Sequence, residues 1–320
     1  MENLIYCLNT TVPLFLLMLL GAALAKTKLF SDNFAGKLNT FVFRISLPVL
    51  VFVDLATTDF SEAWNGKYVL ACFIITVISI IISVCVSMLF RKGCDRAEFV
   101  QASFRSSAAL LGIGIIQNIY GNSGMAPMMI VGAVPLYNVF AVVILSVLVP
   151  DENGDAKLKG ISGKTIKKTL KGIVTNPIII GIAAGLLWSV LRLPMPTMLY
   201  RTLNHVGNCA TPMGLIALGA SLKFDSVKSS IVPAITASFM KLVVFVAIFI
   251  PIVIKMGYRN DILVSTLIML GSPTTVSCYI MARNMNHEGT VSASCVMITT
   301  LFSAFTLTLW LYILKAGSYI

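Results

Sequence analysis

Apolar residues run along this chain in long blocks with polar residues gathered between them, where a water-soluble helix would show only a narrow apolar stripe. The blocks fall at about 8–26, 38–57, 67–90, 99–120, 126–149, 172–192, 204–222, 229–254, 261–282 and 290–314. Each approaches the ~20 residues of helix that cross a hydrocarbon core, so the pattern predicts an all-α polytopic membrane protein with ten transmembrane helices. The third and eighth blocks are the cleanest. The seventh, with Asn204, His205, Asn208 and Thr211, is the most polar.

Two blocks are interrupted. Between Phe104 and Gly121 the run is broken by Ser106, Ser107, Gly112 and Gly114, and around Leu270 to Thr275 by Gly271, Ser272 and Pro273. At membrane depth, backbone leaves the helix only where it is buried in protein or lines a cavity. Two such breaks at corresponding places of two chain halves point to the substrate site of a secondary transporter.

The halves do correspond. Thr11-Val12-Pro13 opens the first block and Thr175-Asn176-Pro177 the sixth, with Gly21 and Gly185 each eight residues past the proline. Leu38-Asn39 matches Leu203-Asn204, Pro48 matches Pro212, and Gly124 and Gly289 stand 165 residues apart, the same offset that relates the breaks. Residues 1–150 therefore read as a first five-helix repeat, 151–171 as a Gly- and Lys-rich linker, and 172–320 as a second repeat. Five is odd, so the two repeats insert with opposite orientation.

Composition sharpens this picture. Of 320 residues 57% are hydrophobic and 12% charged, with a mean hydropathy of +0.90, against about 25% charged in soluble domains. The net charge of +11 raises the question of nucleic acid, but the basic residues lie in short loops between apolar runs and the Lys157–Lys171 stretch has no aromatic residue. No nucleic-acid partner is expected. The first apolar run is followed by Lys26 and Lys28 without a small-residue cleavage pattern, so a cleavable signal is not expected either. Placing the N-terminus outside puts fifteen Lys and Arg residues on one side of the membrane and six on the other. The richer side is cytoplasmic, which predicts both termini outside a multi-pass protein of the cytoplasmic membrane.

Candidate chemistry sits at the breaks. A half-helix that starts at midplane exposes free N–H groups and a positive dipole end that stabilise an anion. Ser106, Ser107, Ser272, Thr274 and Thr275 supply hydroxyls, Gly112 and Gly114 permit close approach, and Pro273 removes a helix hydrogen bond. The alternative role for such residues is tight helix packing. Arg105 and Lys241 can attract an anion or snorkel to the membrane face. Asp54 can couple a cation or proton, or simply meet headgroup water. Asn138 and Asn176 are candidate contacts to a carboxylate; His205 and His287 read as capping or loop residues.

The seven cysteines form no CxxC pair and stand beside no His cluster, so neither a metal nor a cofactor is expected. A cation/proton antiporter or sodium-coupled symporter of related fold, an intramembrane enzyme and a non-transporting membrane sensor are the rival readings. The first wants midplane carboxylates, which spans three to five and eight to ten lack; the enzyme wants a catalytic set the sequence does not offer.

The chain also resembles the auxin efflux carrier family, on Ser46-Leu47-Pro48-Val49-Leu50-Val51-Phe52, Gly112-Ile113-Gly114, Tyr120-Gly121, Pro135-Leu136-Tyr137-Asn138, Asn176-Pro177, Ala217-Leu218-Gly219-Ala220-Ser221-Leu222 and Pro273. That family includes the plant auxin carriers and bacterial carriers of small carboxylates. The resemblance implies that broken spans four and nine cross at the substrate site. It also implies a scaffold of spans 1, 2, 6 and 7 that forms a homodimer through spans 2 and 7, and a transport domain of spans 3–5 and 8–10. The implied cargo is a small organic anion, a mono- or dicarboxylate or an auxin-like acid, carried across the bilayer by alternating access. Where the family has asparagine in the first unwound segment and proline after Gly-Ile, this chain has Ser107 and Gly114.

Overall fold

A computed structural model describes residues 2–57, 65–90, 96–108, 115–116, 119–120, 125–148, 171, 174–221 and 224–320. All regular secondary structure among the described residues is helical, with no strand. In chain order the helices are α1 (Glu2–Lys26), α2 (Asp32–Phe41) and α3 (Leu47–Ala56) joined by a π-turn at Val42–Ser46, α4 (Gly66–Ser87), α5 (Arg96–Phe104) and α6 (Ala126–Val147). There follow α7 (Pro177–Val190), α8 (Thr197–Asn208), α9 (Ala210–Ser221), and α10 (Phe224–Phe239) joined through a second π-turn, Met240–Val244, to α11 (Phe245–Lys255). The last are α12 (Asn260–Gly271), α13 (Ser277–Asn284) and α14 (Thr290–Ala316).

Among the described residues five helical stretches are long and apolar enough to cross a membrane: Asn33–Ala56, Gly66–Ser87, Ala126–Val147, Ile231–Lys255 and Thr290–Ala316. Five of the ten expected spans thus appear as full-length helices. The seventh begins earlier than expected, at Thr197, and is divided at Cys209. The fourth and ninth are short because they are broken, as described below. The expected linker, residues 151–171, lies outside the described residues except for Lys171, as do Gly112, Gly114 and Gly124.

The helices are built inside out relative to those of a soluble protein. On α4 the large side chains Leu70, Phe73, Ile74, Ile78 and Ile81 are exposed, while Ala71, Cys72, Thr76, Ser79 and Ser83 face inward. Helix α14 repeats this, with Leu301, Phe302, Phe305 and Leu309 outside and Ser292, Ser294, Thr299 and Ser303 inside. Without a hydrophobic force between helices in lipid, small residues give close backbone approach, and inward hydroxyls find partners within the bundle. Ser79 and Ser83 accordingly donate to the carbonyls four residues earlier, each at 2.8 Å. Chain entry to the helices is capped in the usual way. Asn65 Oδ1 accepts from the Tyr68 N–H at 3.1 Å, and Ser31 Oγ from the Phe34 N–H at 3.2 Å.

Packing pairs run both between the two halves and within each. Helix α1 lies against α9, and α3 against α7; α4 packs on α6, and α10 on α14. Glycines set the closest of these contacts. A β-carbon at Gly21 would collide with the Ile216 carbonyl and one at Gly219 with the Met18 carbonyl, while at Gly181 it would stand 2.5 Å from the Pro48 oxygen and at Gly185 2.8 Å from the Phe52 oxygen. Because the opposing atoms are backbone, they cannot swing away. Gly219→Val should therefore lower the thermal midpoint of the purified protein by about 5 °C, the effect of roughly 2 kcal/mol of overpacking. Gly36→Val, where nothing lies within 4 Å of the added carbon, serves as the neutral comparison.

Candidate functional site

The two interrupted blocks meet. Helix α12 stops at Gly271, and Ser272 turns extended, with φ −66° and ψ 154°. Its neighbour explains this: the ring of Pro273 disfavours the helical region for the preceding residue. Residues 273–275 are non-helical before α13 resumes at Ser277. In the first half α5 ends at Phe104 and residues 105–107 are likewise non-helical.

Hydrogen bonds stitch one break to the other. The Ser107 N–H donates to the Pro273 carbonyl at 2.9 Å, and Ser106 Oγ donates to the Met269 carbonyl at 2.5 Å. In return Thr274 Oγ1 donates to the Ala102 carbonyl at 2.8 Å, and the Thr274 N–H is taken by Thr299 Oγ1 at 2.9 Å. Each helix end, cut off from its own next turn, is thus satisfied by residues of the other broken segment and of α14. Tyr137 of α6 adds a bond from its hydroxyl to the Met269 carbonyl at 3.2 Å.

Two cations are buried at this junction. Arg105, 1% exposed, directs Nη2 at Asn138 Oδ1 (2.8 Å) and Ser277 Oγ (2.6 Å), and Nη1 at Met281 Sδ (2.9 Å) and Gln101 Oε1 (3.4 Å). All four partners are neutral, and Nε has no partner among the described residues. Lys241, also 1% exposed, sits in the π-turn Met240–Val244 and donates from Nζ to the Phe104 carbonyl at 3.1 Å. Neither side chain snorkels. Arg105 falls inside the fourth expected block, 99–120. The helix in fact starts at Arg96, and Arg105 follows its last residue at the break itself.

Of the predicted site residues, the structure gathers Arg105, Ser106, Ser107, Asn138, Pro273, Thr274, Thr275 and Lys241 into one hydrogen-bonded cluster. Ser272 adjoins it, fully buried, with no partner for Oγ among the described residues. Ser107 and Thr275 are half-buried. Asn176 is engaged elsewhere: it caps α7, Oδ1 accepting from the Ile178 N–H at 2.9 Å. Asp54 is half-buried in α3, whose neighbours are α7 and α8.

Sequence reading missed Glu98 and Gln101. Both are fully buried in α5. Glu98 Oε1 accepts from the Gly289 N–H at 2.5 Å and Oε2 from the Ser292 N–H at 2.9 Å, so a carboxylate caps the positive end of α14. Gly289 holds φ +77°, a backbone that favours glycine, with Arg283 and Tyr279 packed where a β-carbon would stand. Gln101 Nε2 donates to the Cys278 carbonyl at 3.0 Å. The one available signal was the acidic residue amid Arg96, Ala97 and Phe99, which reads equally well as the end of a loop. Among the described residues no group of three or more potential metal ligands occurs.

Fold and site together define a polytopic helical membrane protein in which two broken helices meet around buried cations. Residues 6–311 match the family model described as "Membrane transport protein", and the chain belongs to that family, the family of the auxin efflux carriers. It is 22% identical over 316 residues to a Rhizobium meliloti protein named "Putative malonate transporter", covering 96% of this chain and 95% of that one. It is also 22% identical to an uncharacterized transporter of Methanothermobacter thermautotrophicus, over 96% of this chain and 98% of the other. Identity to the uncharacterized transporter YfdV of Escherichia coli K12 is 19%, over 98% and 99% of the two chains.

Proposed function

We propose that this membrane transport protein is a secondary carrier of small organic anions, mono- or dicarboxylates of the size of malonate, working by alternating access in the cytoplasmic membrane and carrying no enzymatic activity. The observation that supports this reading best is the pair of buried cations at the crossing. Taking a charge out of water costs several kcal/mol, and in a membrane span such a charge is kept for a function. The hydrogen-bond partners of Arg105 and Lys241 are neutral among the described residues. An anion that arrives and leaves supplies the missing charge. Its carboxylate binds Arg105 and the Ser277 hydroxyl, with the half-buried Ser107 and Thr275 as its route of approach.

The architecture proposed is two inverted repeats, 1–150 and 172–320, joined by a cytoplasmic linker, with both termini outside. In its support, repeat-related pairs pack alike: α1 on α9 as α7 on α3, and α4 on α6 as α10 on α14. The matched Gly21 and Gly185 each lie against a facing backbone carbonyl. Spans 1, 2, 6 and 7 serve as a scaffold that pairs two copies through spans 2 and 7, while the other six spans move as the transport domain. The name of the Rhizobium relative suggests malonate as the first cargo to try.

The test is a thermal-shift series on purified protein with malonate, acetate, succinate and the neutral malonamide. A carboxylate held a hundredfold above its Kd stabilises by about 2.7 kcal/mol, a rise of about 5 °C in a protein of this size. At least one of the acids should produce it and malonamide should not. A midpoint indifferent to every acid contradicts the proposal.

A further inference from the structure

We infer that Lys241 is a tethered cation, its ammonium filling the place at the end of α5 where an exchangeable sodium ion would otherwise bind, so that the carrier needs no sodium to hold its crossing together. This deepens the transport reading of the same site and rests on it, though not on which anion is carried.

Broken helices create cation sites for a simple reason. The last carbonyls of a half-helix have no N–H to receive and form the negative dipole end, and in transporters such ends coordinate sodium or a proton. In α5 the carbonyls at issue are those of Gln101 to Phe104. The Gln101 oxygen takes the Arg105 N–H at 3.2 Å and the Ala102 oxygen takes Thr274 Oγ1 at 2.8 Å. The terminal oxygen, that of Phe104, takes Lys241 Nζ at 3.1 Å. A sodium ion needs several oxygen ligands, as hard cations do; here the end already holds one positive charge, fixed to the chain and unable to leave.

The other break provides the contrast. Met269 stands 165 residues after Phe104, at the matching place before the second break, and its carbonyl is capped by two neutral hydroxyls, Ser106 at 2.5 Å and Tyr137 at 3.2 Å. The position matching Lys241, 165 residues earlier, is Thr76. The Phe104 carbonyl therefore has a built-in cation, and among the described residues the matching Met269 carbonyl has none. The π-turn Met240–Val244 supports a selected placement, since single π-turns inside α-helices concentrate at functional sites.

The test reads the thermal midpoint of the purified protein in sodium, choline and ethylammonium chloride at equal ionic strength, for wild type, Lys241→Ala and Lys241→Met. Wild type should give the same midpoint in all three. Lys241→Ala, which vacates the site, should gain about 3 °C in sodium or ethylammonium over choline. Lys241→Met, whose side chain refills the space without charge, should gain nothing. Stabilisation of wild type by sodium over choline overturns the inference, and that arm requires no variant to fold. A folded Lys241→Ala protein indifferent to all three salts overturns it too; Lys241→Ser takes its place if alanine prevents folding. No carboxylate is added and chloride is common to all three salts, so a failure here is distinct from failure of the carboxylate screen.

Discussion

Arg105→Met should lower the affinity for the transported carboxylate about 100-fold or more while the protein still folds. Truncating one partner of a buried charged hydrogen bond costs about 2–5 kcal/mol in binding, and 2.7 kcal/mol is about a hundredfold in Kd. Folding survives because removing a buried cation whose described partners are all neutral also removes its desolvation cost. Replacement of buried charge by an apolar group of similar volume is often neutral or stabilising. The variant thus separates two roles. A structural arginine, bridging Asn138, Ser277 and Gln101 to hold the crossing, would give a protein with a much lower midpoint and ordinary affinity. A binding arginine gives the reverse. Equilibrium binding of radiolabelled malonate, or of whichever acid shifts the wild type, read beside the thermal midpoint distinguishes them.

Glu98→Gln should act in the opposite sense, destabilising the fold by about 4 kcal/mol, a fall of roughly 10 °C, with anion affinity unchanged. The carboxylate accepts two backbone N–H groups at the start of α14, from Gly289 at 2.5 Å and Ser292 at 2.9 Å. An amide has one acceptor oxygen, so one of the two N–H groups would face an NH2 donor in a buried place. This result bears on the rival reading of a proton-coupled antiporter. A coupling carboxylate must spend part of its cycle protonated, and glutamine imitates that state at little structural cost. A Glu98→Gln protein with a wild-type midpoint and a flattened pH dependence of uptake would favour the rival.

How much of this was legible beforehand depended on whether the physical cause was local. The second break was legible at Pro273, because a proline inside an apolar block must cost a helix hydrogen bond, and the block ends at Gly271 as that demands. The long apolar blocks at 67–90 and 290–314 became α4 and α14 for the same kind of reason. Gly21 and Gly185 were found as a matched pair, yet their job, passing a facing backbone, required the neighbouring helices to be seen.

The first break was placed by its serines, but its boundary was not. Arg105 reads as a residue within a span that could reach the membrane face, and only the end of α5 at Phe104 puts it at the centre of the crossing. Glu98 was overlooked because a carboxylate next to a loop is ordinarily solvated; its burial depends on Gly289 and Ser292, residues nearly two hundred positions away. The π-turn that presents Lys241 has no signature in Met240-Lys241-Leu242-Val243-Val244. Asn176, chosen as a polar contact, is accounted for by the short-range rule that asparagine caps a helix beginning with proline.

The central claim is that one anion site at the crossing opens in turn to each side of the membrane. The most direct measurement is the modification of Ser107→Cys by the anionic reagent 2-sulfonatoethyl methanethiosulfonate. It is made in reconstituted vesicles of fixed orientation, in a background with the native cysteines replaced, with reagent supplied from outside or from inside. The account predicts labelling from both sides, slowed on both by a saturating carboxylate that binds the wild type. Labelling from one side alone, at a rate indifferent to every carboxylate, would contradict it.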